Sequence, residues 1–316
     1  MNAFFQLLLL STPLFATVGA GYAASRIFKI SERVTDVLNK FCYAVLLPAT
    51  LFRLMSQAHT LPGVDVRLLA AYFGSCLVVF VLGRVVAARM FGFDSTQGSV
   101  FALGGVFSNI VLLGLPLAKI LLGEAAVPAV ALIIVFNALT LWTLVTISIE
   151  WGKHGALSLK GIGKTALGVL TNPIVASILL GTLYGYLLGT LPPWIDAPLK
   201  WLGTAAAPLV LLVLGMSLSN YPVREGWRPS LAIAMIKVVV QPLAVLLFAR
   251  LLDLPPTETL AVVLTACMAT GVNVYMMARQ FGALQPVIAS AMVLTTALAA
   301  ITTPLFLAVA GYLVKQ

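Results

Sequence analysis

Charge is what this sequence of 316 residues has least of: Asp, Glu, Lys and Arg together make up 9% of it. A soluble domain carries about 25%. Histidine occurs twice, as His59 and His154, both in predicted loops, which excludes a histidine-based metal site. The three cysteines, Cys42, Cys76 and Cys267, are odd in number and fall in apolar stretches. They read as small buried apolar residues, not as a disulfide framework. The sequence has no Gly-rich phosphate loop, no HExxH, no paired intramembrane aspartates and no Ser/His arrangement. Enzymatic acid–base chemistry therefore has no groups to work with, and neither a cofactor nor a metal is expected.

What is present is apolar. Hydrophobic residues make up 61% of the chain and the mean hydropathy is +1.06. The apolar material comes in blocks of about twenty residues, the length a helix needs to cross a bilayer. The reading is an all-α polytopic membrane protein with ten spans. They fall at 3–25, 36–56, 67–90, 97–122, 127–150, 166–189, 198–219, 229–252, 258–280 and 286–313. No lysine or arginine precedes Arg26, so the first run lacks the basic start of a signal peptide and reads as an uncleaved helix.

The net charge of +9 comes without any dense Lys/Arg run, which argues for cytoplasmic anchoring and against nucleic-acid binding. Loops after odd-numbered spans hold twelve cations, the opposite side six, and Lys237 is left inside a span. That bias places both termini outside a cell (inner) membrane. Trp151, Trp194, Trp201 and Trp227 fall near span ends, where amphipathic rings favour the interface, whereas Trp142 lies deeper.

Internal spacing suggests a duplication. Pro13 and Pro173, Gly21 and Gly181, and Pro48 and Pro208 are each 160 residues apart, and Pro128 and Pro286 are 158 apart. Two halves of five spans, 1–155 and 156–316, must run in opposite senses, so the repeat is inverted, as in secondary transporters.

The fourth span, SVFALGGVFSNIVLLGLPLAKILLG, carries Gly104, Gly105, Ser108, Asn109, Gly114 and Pro116 at its centre. It reads as a discontinuous helix broken around Asn109 and Pro116. By symmetry the ninth span should also break, at Thr270, Gly271 and Asn273. It has no proline, so the fourth is expected to be the more sharply unwound. Matching Gly123 to Gly282 sets Asn273 opposite Gly114. Asn109 and Asn273 can be helix–helix glue or substrate ligands. Beside half-helix N-termini their amides suit a small anion. Lys237, followed by Gln241 and Pro242, must pair or face water. It can snorkel to the interface, counter the charge of an anionic substrate or couple to protons. Asn137, Thr140 and Thr143 in span five, with Thr295, Thr296, Thr302 and Thr303 in span ten, either line the cavity or bond their own helices. TNP at 171–173 matches half of an aquaporin signature, but ten spans and a single copy argue against that fold.

The ten short-looped spans, NIVLLGLP, TGVNVYMMARQFG, Lys237 with Pro242 and the NP opening span six resemble the bacterial auxin efflux carrier family. That family includes malonate-transporter-like proteins and is related to the plant auxin exporters. The resemblance implies a fold similar to bile-acid symporters and sodium/proton antiporters, with broken helices 4 and 9 crossing. It implies a scaffold (1–58 and 160–220) facing a transport domain (64–150 and 228–316) that moves like an elevator. It also implies that Asn109 and Asn273 read the substrate carboxylate; with Gly114, Pro116, Asn137, Lys237, Thr270 and Gly271 they make up the candidate substrate-binding set. Coupling to protons or sodium, and a homodimer through the scaffold helices, follow by analogy. The chain departs from the family at Ala269, where a proline is usual, and in a third span without acidic residues. A membrane-embedded metabolite sensor and an anion channel are the alternative functions.

Overall fold

The computed structural model describes residues 3–60, 63–154, 173–220 and 226–314. Among them the chain is helical throughout, with one isolated β-bridge and no strand. Seven helical runs are long and apolar enough to cross a membrane. The first is α1 (Ala3–Ile27). The second, Glu32–Thr60, joins α2 (Glu32–Phe41), a π-helical turn at Cys42–Leu46 and α3 (Leu47–Ser56). Next come α4 (Arg67–Phe91) and, beyond the first interrupted helix, α7 (Val127–His154). After α8 (Pro173–Leu188), a shorter apolar helix, stands α9 (Pro193–Ser219). The sixth run, Trp227–Leu251, joins α10 (Trp227–Met235), a π-turn at Ile236–Val240 and α11 (Gln241–Leu251). The seventh is α14 (Gln285–Leu313).

Two predicted spans are split. Span four is α5 (Ser95–Val106), a break, a π-turn at Ile110–Gly114 and α6 (Leu115–Leu121). Span nine is α12 (Pro256–Cys267), a break and α13 (Val272–Gln280). Helix thus occupies each of the ten predicted stretches, though for span six only from Pro173 onward. Its first residues, with Thr171 and Asn172 of the TNP sequence, lie outside the described residues, as do Lys160, Lys164, Arg224 and Lys315.

The outer faces are apolar. Leu9, Leu187 and Leu251 are 62%, 71% and 71% exposed, a pattern that suits lipid and not water. Trp151, Trp194, Trp201 and Trp227 are all exposed near helix ends, as an interfacial belt requires.

Each π-turn ends two residues before a proline: Leu46 before Pro48, Gly114 before Pro116, Val240 before Pro242. The residue preceding each proline bonds five residues back, Leu47 to the Cys42 carbonyl, Leu115 to Ile110 and Gln241 to Ile236. Proline lacks an N–H and its ring crowds the carbonyl four residues earlier. Widening the preceding turn relieves that crowding while keeping the carbonyls bonded. Pro116 therefore does not make the break in span four. It sits in the first turn of α6, past the π-turn that absorbs its ring.

Helix pairs meet through glycine. A Cβ on Gly21 of α1 would overlap the Leu212 carbonyl of α9, and one on Gly181 of α8 would overlap the Phe52 carbonyl of α3. Small residues of this kind let apolar helices touch backbone to backbone. Gly21 and Gly181 are 160 residues apart, and so are Phe52 and Leu212.

Candidate functional site

The first half of span four begins cleanly. Asp94 accepts from the Gln97 N–H at 2.8 Å while the Gln97 side chain accepts from the Asp94 N–H at 3.3 Å, a reciprocal cap. The helix stops at Val106, and Phe107 is extended (φ −79°, ψ 103°). In span nine Met268 (φ −64°, ψ 148°) and Gly271 (φ −72°, ψ 148°) are extended in the same way. Both spans are thus unwound at their breaks, although only span four carries a proline near its centre. The expectation that span four would be the more sharply broken is not what the structure has.

The reason is tertiary. The two breaks lie antiparallel across each other, bridged at Ser108 and Thr270. The Asn109 N–H donates to the Ala269 carbonyl at 2.8 Å, and the Gly271 N–H to the Phe107 carbonyl at 2.9 Å. The Thr270 hydroxyl donates to the Gly104 carbonyl at 2.8 Å, and the Thr270 N–H to the Thr295 hydroxyl at 3.0 Å. Tyr72 of α4, fully buried, donates from its hydroxyl to Ser108 at 3.1 Å. Backbone groups freed by unwinding are therefore re-bonded by the other break, as apolar surroundings demand. Gly271 sits at ordinary extended angles, so left-handed backbone freedom is not its use. A Cβ there would stand 3.0 Å from the Phe107 ring and 3.2 Å from the Ser108 carbonyl oxygen. Glycine is what lets the segments cross so closely.

Swapping residue 108 with 270 exchanges the two backbone bonds with one another. By this two-fold Asn109 is equivalent in position to Gly271, and Asn273 to Val111, not to Gly114. The asparagines lie on opposite sides of a local two-fold without being equivalents.

A small cavity of about 90 Å³ opens at the crossing. Asn109, Asn137, Gly271 and Asn273 line it, with Tyr43, Ser108 and an apolar wall that includes Phe107, Ile134, Ile174 and Val272. No acidic or basic side chain is among its described lining residues. The second halves of both interrupted helices start on it, at Ile110 and at Val272. The first N–H groups of a helix have no intrahelical partner, and each N-terminus carries about +0.5 of an elementary charge. Asn109 is 5% and Asn137 6% exposed, and Asn273 is half-buried. The Asn137 Oδ1 is buried without a partner among the described residues.

Of the eight residues singled out from sequence, these four share the cavity. Thr270 does not line it; its side chain and N–H hold the crossing together. Gly114 is buried beside Met268 and Pro116 lies in α6, both off the cavity lining. Lys237 neither snorkels nor reaches the cavity: it is fully buried and donates to the Ala266 carbonyl at 2.6 Å. Among the threonines, Thr295 and Thr296 bond the Met292 carbonyl and Thr302 that of Leu298, the ordinary helix-internal pattern. Tyr43 and Tyr72 were not singled out from sequence. Both are aromatic residues in apolar stretches, and neither periodicity nor spacing separates them from core.

Comparison with known proteins agrees with this architecture. A family model described as "Membrane transport protein" matches residues 10–307. The chain is 26% identical over 294 residues to a Rhizobium meliloti (strain 1021) protein named "Putative malonate transporter", covering 92% of this chain and 91% of that one. It is 23% identical over 280 residues to an uncharacterized transporter of Methanocaldococcus jannaschii, covering 86% of this chain and 89% of the relative.

Proposed function

The chain belongs to the membrane transport protein family, and from that premise we propose that it is a secondary active transporter of small organic anions, binding them where the interrupted helices cross. The observation that carries the reading is that two half-helix N-termini and three asparagine side chains face one small cavity. Two positive backbone ends and amide donors suit a carboxylate, and half-helix N-termini meet anionic groups in other transporters. The volume, well below the roughly 300–1,000 Å³ of sites for drug-sized ligands, suits a small solute. Malonate is the first substrate to test, because it stands in the name of one relative.

In this reading all ten stretches cross the membrane, as inverted repeats 1–155 and 156–316, with both termini outside a cell inner membrane. The matched glycine contacts 160 residues apart and the exchange of bonds at the crossing support that symmetry. The segments 64–150 and 228–316 would travel as one body against 1–58 and 160–220, an elevator movement that exposes the cavity to each side in turn. Asn109, Asn137, Gly271 and Asn273 would hold the substrate, with Thr270 fixing the crossing beneath it. Two copies would pair through the scaffold helices.

Counterflow in liposomes tests the function. Labelled malonate should enter saturably, and faster when unlabelled malonate is loaded inside. Binding without flux would make the protein a sensor, and flux without that acceleration a channel. Movement of cations or neutral solutes alone would overturn the anion reading.

A further inference from the structure

Lys237 sits at the negative end of an interrupted helix. In an unbroken span nine the Ala266 carbonyl would accept the Thr270 N–H, but the break turns that N–H to the Thr295 hydroxyl. The Lys237 ammonium takes its place at 2.6 Å. Ala266 is the penultimate residue of α12, whose C-terminal end carries about −0.5 of an elementary charge. The corresponding end of α5 is treated differently, because its Gly104 carbonyl is covered by the neutral Thr270 hydroxyl. Among the described residues Lys237 has no carboxylate partner, and the ionisable groups near it are the Cys76 and Cys267 thiols. Tyr72 stands next to Cys76, and Gln241 donates to the Cys76 sulfur at 3.2 Å. A fully buried cation is thus held by one backbone carbonyl and a helix end.

In transporters with interrupted helices, half-helix C-terminal ends and unwound carbonyls are where coupling sodium ions or protons bind. We propose that the Lys237 ammonium is a tethered cation filling that position, so that the chain carries its anion without binding sodium. This rests on the transporter reading above, and it narrows the choice between protons and sodium that the family resemblance left open. Sitting behind the break that lines the cavity, the ammonium offsets the charge of one carboxylate, as a bound sodium ion would. The loaded site then approaches neutrality without a bound sodium ion. Lys237 is a positioning charge that acts through the helix end and does not touch the substrate.

The test compares sodium with choline chloride at equal ionic strength, using full-length purified protein. The melting temperature of the wild type should be the same in both, since a ligand bound to the native state raises it and none is bound here. Malonate uptake into liposomes should likewise proceed at the same rate in both salts. Lys237→Ser, which removes the charge and opens its space, should acquire a sodium-specific rise in melting temperature. A packing role alone would not produce that rise. Lys237→Met should fold yet lose uptake by about tenfold or more, the scale of one charge-assisted hydrogen bond. A sodium-specific rise in the wild type overturns the proposal, and so does a folded Lys237→Ser blind to sodium or a Lys237→Met with full uptake. If either variant fails to fold, the wild-type sodium titration decides alone. Absence of malonate uptake by the wild type would instead count against the function and leave the melting comparison to judge the lysine.

Discussion

At the cavity, Asn137 is held at a cost: its amide oxygen is buried without a partner, worth about 1–3 kcal/mol against the ligand-free protein. Leucine is close to it in volume and has no polar atoms. Asn137→Leu should therefore melt at the same temperature or higher while uptake falls, and a thermal melt run beside an uptake assay checks both. A variant that loses stability and keeps uptake would make Asn137 a packing residue. Asn273 tests the sign of the field. Asn273→Asp sets a carboxylate where an anion should dock, and two like charges about 4 Å apart repel by roughly 4 kcal/mol at an effective dielectric of 20. Malonate uptake should collapse, whereas Asn273→Gln should retain a measurable part of it. These asparagines were legible in the sequence because amides at the centre of apolar spans need an explanation. Tyr72 was not, since its bond to Ser108 depends on how α4 packs against the break. Lys237 stood out equally well, but its partner is a carbonyl exposed only by unwinding, so side-chain chemistry alone could not supply it.

The interrupted helices are held open by bonds between them, which makes the crossing a mechanical element. Thr270→Val removes the donor on the Gly104 carbonyl while keeping the branched shape. It should lower stability by about 0.6 kcal/mol and by no more than about 1.7, the mean and the maximum measured for hydrogen bonds between helices in a membrane protein. An unchanged melting temperature would mean that the backbone bonds suffice. On the other side, Gly21→Val would push α1 away from the Leu212 carbonyl and should destabilise more strongly, by about 1–3 kcal/mol, read by thermal unfolding in detergent. Element positions could be read from hydropathy with errors of a few residues, because apolar length is set by the bilayer. The breaks could be read only in part. Pro116 looked like the break in span four but is accommodated by a π-turn, and span nine unwinds without any proline because Phe107, Asn109 and Thr295 take up its freed backbone groups. Local sequence cannot report a helix broken by its neighbours.

On the scale of the whole molecule, a lipid-facing apolar exterior encloses one crossing where four interrupted helix ends meet. The two N-terminal ends face the cavity, where in the proposed function they attract an anion; of the two C-terminal ends, one is covered by a hydroxyl and the other by an ammonium. Repeat spacing pointed to two breaks, but not to how they meet, since an ungapped match of the halves set Asn273 against Gly114 where the local two-fold at the crossing makes it equivalent to Val111. The central claim is that negative charge is recognised at this crossing by backbone ends and asparagine amides. Equilibrium binding to the purified protein tests it most directly, by titrating malonate and its neutral counterpart malonamide into the wild type and Asn109→Ala. Malonate should bind saturably and malonamide at least about tenfold more weakly, and Asn109→Ala should lose about tenfold or more for malonate while remaining folded. Equal binding of the two compounds, or undiminished malonate binding by Asn109→Ala, would contradict the account.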